Sequence, residues 1–216
     1  MTGIDQKHEL LGETFTLSPH KAMHWDRKKT LILGDLHLGK TNYFRKMGIQ
    51  VPQDTKEKNW AKLRSLLIQF RPERVLFLGD LFHSRRTSDF ERLGKEIEKN
   101  PNVSFELIKG NHDILKKEWY TDLNIKLHDP VLKEAPFLFT HEEIEDSQLY
   151  PISAHVHPAV KFRGSGRQSV SLACFYFGEK GAIIPAFGSF TGYHTIRPVK
   201  TESVYVVLPD KVMKVN

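Results

Sequence analysis

Apolar residues fall in short unbroken blocks over the first half of this 216-residue chain. Leu31-Ile32-Leu33-Gly34 and Val75-Leu76-Phe77-Leu78-Gly79 predict strands covered on both faces, and Val103 to Ile108 predicts a third. Between these blocks the period becomes helical. Lys56 to Phe70 places Trp60, Leu63, Leu66, Leu67 and Phe70 at three- and four-residue spacing and is stopped by Pro72. Thr87 to Asn100 puts Phe90, Leu93 and Ile97 on one stripe, with Pro101 beyond its end. Strand, helix, strand, helix, strand is a βαβ rhythm with right-handed crossovers. Upstream, Phe15, Leu17, Ala22, His24 and Trp25 predict a short hairpin, and residues 1–12 read as a frayed, peripheral segment. Downstream the pattern changes. Glu134 to Thr140, Ser169 to Phe177, Ala182 to Ala186 and Thr201 to Leu208 are strand-like with little helix between them. The expectation is a single α/β domain over residues 1–216, two-layer or sandwich-like rather than open and doubly wound.

Composition narrows this little. An apolar fraction of 39% and a charged fraction of 27% are ordinary for a globular domain. No apolar stretch is long enough to span a bilayer, and the N-terminus carries no signal-like segment. The one cysteine, Cys174, excludes an intrachain disulfide framework and reads as a buried apolar residue. These features lead us to expect no membrane partner and a cytoplasmic location. The net charge of +6 permits a polyanionic partner. Arg85-Arg86 follows Asp80 closely and is expected near the mouth of any site there, with Lys161, Arg163 and Arg167 on the same rim. Helix-turn-helix, zinc-finger and aromatic-rich single-strand motifs are absent, so contact with nucleic acid would be directed at phosphates and salt-dependent.

The chemistry lies in short polar clusters after the apolar blocks: Asp35-Leu36-His37, Asp80 and Asn111-His112-Asp113, followed by His141 and His155-Val156-His157. Strand ends are where α/β sheets place ligands. Carboxylate oxygen with imidazole nitrogen suits Mn²⁺, Fe²⁺, Zn²⁺ and neighbouring ions, whereas Mg²⁺ sites usually rely on oxygen alone. On an extended backbone Asp35 and His37 project to one side and can grip one ion. His155 and His157 share that spacing; in a tight loop they would instead divide between two ions. Two ions need a bridge, for which Asp80 is the natural candidate. At ~3.5–4 Å separation such a pair holds a hydroxide and clamps a phosphate. Asn111 offers a neutral oxygen, and His112 is free to meet the phosphate or protonate the leaving oxygen. Each cluster alone is weak, and Gly110-Asn111-His112-Asp113 alone could be a turn. Jointly they take six of the eleven histidines: His37, His83, His112, His141, His155 and His157.

Gly34-Asp35-Leu36-His37, Gly79-Asp80-Leu81-Phe82-His83, Gly110-Asn111-His112-Asp113, Thr140-His141-Glu142 and Ala154-His155-Val156-His157 together resemble the calcineurin-like metallophosphoesterases. That resemblance implies a central β-sandwich flanked by helices, with a dinuclear centre at the strand ends. It implies that Asp35, His37, Asp80 and His157 hold one ion and that Asp80, Asn111, His141 and His155 hold the other. His112 would be catalytic, with Asp113 orienting it. The ions would be two divalent metals, Mn²⁺ first, with Fe, Zn, Ni or Co as alternatives. Ala154 stands where a glycine is usual, which predicts a changed loop rather than a lost site. His83 stands where many members carry Asp, Asn or Arg; with Arg85 and Arg86 it is a candidate substrate contact.

Within that superfamily the chain resembles the small bacterial phosphoesterases described as ligase-associated DNA damage response endonucleases. The similarity rests on Leu33-Gly34-Asp35-Leu36-His37-Leu38-Gly39-Lys40, Phe44-Arg45 with Gly48 and Pro52, Gly79-Asp80-Leu81-Phe82-His83-Ser84, and Pro185 to Gly192. It implies a phosphodiester substrate, DNA among them, and association with a DNA ligase and a helicase in DNA repair. The leading expectation is therefore a hydrolase of phosphodiesters, a DNA endonuclease, working by in-line attack of a metal-activated hydroxide. One alternative is a phosphomonoesterase or nucleotide phosphodiesterase acting on a small molecule. The stretch from Gly39 to Pro72 reads as one loop and one helix, with no cap domain, which favours an open site. A second alternative is a non-catalytic protein-interaction module, whose mark would be lost ligands or a lost His112; both are intact. Nothing in the pattern specifies an oligomeric state.

Overall fold

The computed structural model describes residues 3–51, 55–83, 87–145, 147–189 and 191–216. Seven strands form a first sheet in chain order: β1 (Gln6–Leu10), β2 (Glu13–Ser18), β3 (Ala22–Trp25), β4 (Thr30–Gly34), β5 (Arg74–Leu78), β6 (Ser104–Ile108) and β7 (Ile125–His128). β1 to β4 run antiparallel because tight turns join them; Leu11 and Gly12 both have positive φ, as a two-residue hairpin requires. From β4 to β7 the strands are parallel. The crossovers carry the helices α1 (Lys40–Lys46) and α2 (Thr55–Phe70), then α3 (Ser88–Glu98), then α4 (Lys117–Asp122).

The second sheet has nine strands: β8 (Val131–Glu134), β9 (Phe137–Thr140), β10 (Tyr150–Ser153), β11 (Pro158–Arg163), β12 (Ser169–Phe177), β13 (Ala182–Ile183), β14 (His194–Thr195), β15 (Ser203–Val207) and β16 (Val212–Lys214). Its main path runs β14-β11-β12-β13-β10-β9-β8, and β15 joins through β12.

Alternation along the strands builds two cores. Val75 and Phe77 of β5 pack with Trp60, Leu63, Phe90 and Leu93 of the helices. Leu76 and Leu78 point the other way, into an inter-sheet core with Trp25, Phe137, Phe139 and Phe175. Each such fully buried side chain contributes about 1.5–3 kcal/mol. The expected sandwich flanked by helices is therefore the fold, with α2, α3 and α4 packed on the first sheet. Cys174 is buried on the second sheet beside Val204 and Val206, and burial pushes its thiol up to about 12.

Several expectations change. Residues 6–10 form a strand instead of fraying, because they pair with β2 and bury His8. Glu134 to Thr140 is not one strand: Glu134 ends β8, Ala135-Pro136 makes the hairpin turn, where proline lacks the N–H a ladder needs, and Phe137 to Thr140 is β9. The stretch after Gly39 contains α1 as well as α2. α1 escapes the pattern because it has only 7 residues and starts at Gly39, left-handed and without a side-chain cap.

Candidate metal centre

Because β4, β5 and β6 are parallel, their carboxyl ends share one edge, and Asp35, Asp80 and Asn111 follow them. β9 and β10 are also parallel and end at His141 and His155, while His157 precedes β11. The two sheets are stitched together at this edge. Gly34 pairs with Ala186, and the His155 N–H donates to Asp35 Oδ2 at 3.0 Å.

The local backbone is not extended. Asp35, His37, Asp80, His155 and His157 all have φ between 47° and 61°. Asp35 and His37 therefore converge through left-handed turns, not through strand alternation. The tight-loop alternative holds for the closing histidines, which divide between two groups. Asp35, His37 and His157 form one cluster, and Asp80, His141 and His155 the other; within each the ligand atoms lie within 4.8 Å of one another.

The unsatisfied atoms show what these clusters suit. Asp35 is fully buried, and its Oδ1 has no hydrogen-bond donor although His157 Nε2, also without a partner, lies 3.5 Å away. His141 Nδ1–H donates to the Leu78 carbonyl at 2.9 Å, so its Nε2 carries a lone pair. That lone pair lies 3.0 Å from His155 Nδ1 and 3.2 Å from Asn111 Oδ1. A buried carboxylate oxygen left without a donor, as Asp35 Oδ1 is, is costly unless a cation sits beside it. The residues therefore fit divalent metal ions. Burial, and next the charge of Lys40, pushes His37 down to about 2, keeping its ring neutral and able to donate a lone pair.

Asp80 lies between the clusters. Its Oδ1 accepts the His112 N–H at 2.9 Å and lies 3.5 Å from His141 Nε2; its Oδ2 lies 3.6 Å from His37 Nε2. Asp113 is nearly fully buried, and burial pushes its carboxyl up to about 6. It does not hydrogen-bond the His112 ring, as orienting that ring would require. It accepts the main-chain N–H of Phe82 at 3.2 Å and of Gly110 at 3.0 Å, tying the Asp80 loop to the Asn111 loop. Asp113 is thus a positioning residue for the loop that carries His112.

His83 stacks on His112 at 5.3 Å and 23° between ring planes, and Tyr43 of α1 meets His83 edge-on at 5.0 Å. Burial, followed by Lys40 and His112, lowers the His83 pKa. Arg85 and Arg86 lie outside the described residues. Arg163 is six residues along an extended strand from His157, about 20 Å at the usual rise, so it lies away from the rim. Ala154 is accommodated because its Cβ packs where Gly34 has none. Lys40 closes the first motif stretch with no role of its own, and motif reading passes over Tyr43; what links the two is their i, i+3 spacing just after the first ligand cluster.

A two-sheet sandwich with two ligand clusters at one edge defines a metal-dependent phosphoesterase. A calcineurin-like phosphoesterase family model matches residues 28–196, and the chain belongs to that family. It is similar to the solved structure of Pseudomonas putida nuclease MPE, at 28% identity and a TM-score of 0.83, over 98% of this chain and 100% of that one. Yfce, a phosphoesterase from E. coli, aligns over 82% of this chain and 86% of its own at 14% identity and a TM-score of 0.40. No curated protein is significantly similar to the chain. Among the described residues no helix is long and apolar enough to cross a membrane.

Proposed function

We propose that the protein is a dinuclear metal-dependent phosphodiesterase that cleaves DNA, with Mn²⁺ as the preferred ion and Fe, Zn, Ni or Co as alternatives. The carrying observation is Asp80, which turns one carboxylate oxygen toward each ligand cluster. In this reading Asp35, His37 and His157 hold one ion, Asn111, His141 and His155 the other, and Asp80 bridges. Bound there, the ions would supply Lewis acidity and an activated water for attack on phosphorus. The protein's own contribution is positioning and proton transfer. Asp80 Oδ1 fixes the His112 main chain, and the half-buried imidazole delivers a proton to the departing sugar oxygen as the P–O bond breaks. One product strand ends in a phosphomonoester and the other in a hydroxyl.

Three features support a polymeric substrate. Asn111 and His155 are exposed, so the centre opens to the surface. The chain carries a net charge of +6. Its full-length likeness is to a protein described as a nuclease. The test is hydrolysis of single-stranded DNA, nicked duplex and small nucleotide diesters, by protein of measured metal content, with Mn²⁺ and with chelator. Metal-dependent DNA cleavage is expected. His112→Asn should lower kcat by about 10²- to 10⁴-fold with metal content retained, whereas Asp80→Ala should deplete both ions. Metal-dependent turnover confined to small diesters would replace DNA by a nucleotide substrate; no metal-dependent turnover at all would overturn the reading.

A further inference from the structure

We infer that Tyr43 is a stacking platform for the unpaired nucleobase next to the scissile phosphate. The inference rests on the DNA reading above and assigns the recognition element that reading lacks. Tyr43 lies on α1 at the edge of the metal centre and is 45% exposed, an unusual position for a large aromatic ring with an apolar core available. Its hydroxyl has no hydrogen-bond partner among the described residues. Its ring is held from behind by the edge-on contact with His83, which in turn stacks on His112. The row Tyr43, His83, His112 therefore begins at an exposed aromatic surface and ends at the proton donor. A phosphate at His112 has its neighbouring nucleoside within reach of the Tyr43 face.

Charge and shape around the ring agree with that occupant. Lys40, one turn earlier on the same side of α1, is half-buried, and its field reaches His37, His83, Asp35 and Asp80. It makes no ion pair among the described residues, so its ammonium is available to a backbone phosphate. Met47, one turn further along from Tyr43, and Ile49 are also exposed apolar side chains, at 64% and 52%. An aromatic face with a cation one turn before it binds single-stranded nucleic acid without reading its sequence, because every base has a π-face. Paired bases are already stacked, so this platform favours single-stranded or frayed substrate.

The experiment compares wild-type protein with Tyr43→Ala, Tyr43→Phe and Tyr43→Trp on an oligothymidylate and on the same oligomer carrying abasic nucleotides, all with Mn²⁺. Tyr43→Ala is expected to raise KM on the base-bearing oligomer roughly 5- to 150-fold, the range for loss of one stacked base, with kcat nearly unchanged. The abasic oligomer should show no such penalty, because wild type has already lost the base. Phe and Trp should preserve wild-type KM, since they keep the π-face. If Tyr43 only propped His83, Tyr43→Ala would lower kcat equally on both oligomers, and that result overturns the inference. Wild-type KM in Tyr43→Ala overturns it too, while leaving the DNA reading intact. Wild-type protein that cleaves small diesters but neither oligomer overturns the DNA reading itself.

Discussion

At the scale of single residues, the candidate metal centre depends on side chains that are missing. A Cβ added at Gly79, where φ is +75°, would lie 2.1 Å from His141 Nδ1, the atom bonded to the Leu78 carbonyl. One added at Gly110 would lie 2.4 Å from Asp80 Oδ1. Gly79→Ala and Gly110→Ala should therefore displace the clustered side chains, and Gly79→Ala should strain the backbone as well. We expect both to lose Mn²⁺ binding, measured as metal per protein after gel filtration, and to melt well below wild type. Gly166→Ala is the control. Its φ is also +75°, yet nothing lies within 4 Å, so it should cost only about 1–2 kcal/mol and keep its metal. Five residues of the two clusters in left-handed conformation store about 1–3 kcal/mol each. Residue types were legible here because carboxylate, imidazole and carboxamide are the chemistry itself. Their backbone was not, since left-handed turns at Asp35 and His37 defy the extended geometry their spacing suggests.

At the scale of elements, long periodic segments were readable and short ones were not. α2 and α3 announce themselves through repeated apolar stripes, and β5 through an unbroken apolar run between two cores. α1, α4 and β14 are too short for a period to accumulate and are set by tertiary contacts. The same holds for pairs of elements far apart in sequence. Arg74 at the start of β5 reaches across to Glu134 at the end of β8, with Nη2 donating to Oε2 at 2.9 Å and a second bond between Nη1 and Oε1. Both side chains are mostly buried, and Arg74 holds the Glu134 carboxyl below its usual range. Removing the guanidinium strands a carboxylate between the sheets. Arg74→Met should destabilise by about 1.5–3 kcal/mol in urea unfolding. Arg74→Met with Glu134→Gln should recover part of that loss, because no buried charge is then left alone. Equal stability of Arg74→Met and wild type would mean that the pair contributes nothing to sheet-to-sheet packing.

At the scale of the whole molecule, both sheets must stay in register for the two ligand clusters to form, because each supplies part of both. The N-terminal segment is one of the ties. β1 extends the first sheet, while Ile4 bonds to Asp210 and Val212 beside β16 of the second. Between these attachments His8 is buried, its Nδ1 2.9 Å from the Tyr205 hydroxyl and its ring 3.9 Å from that of Phe177. Burial, helped by Lys214, pushes His8 from 6.5 down to about 4. The unfolded chain therefore takes up a proton at this residue below pH ~6.5 while the folded chain stays neutral until about 4. Stability from this group is fully present above ~6.5, falls as the pH drops through that window, and is exhausted near 4. The full shift corresponds to a loss on the order of 3 kcal/mol. Urea unfolding from about pH 7 down to about pH 4.5 should show wild type losing stability more steeply than His8→Leu, whose curve keeps only the slope of the carboxylates and other histidines. His8→Leu should be the less stable protein near neutrality, where it has lost the Tyr205 bond, and should approach or pass wild type in acid. Parallel curves would show that His8 does not stay neutral at the junction of the two sheets.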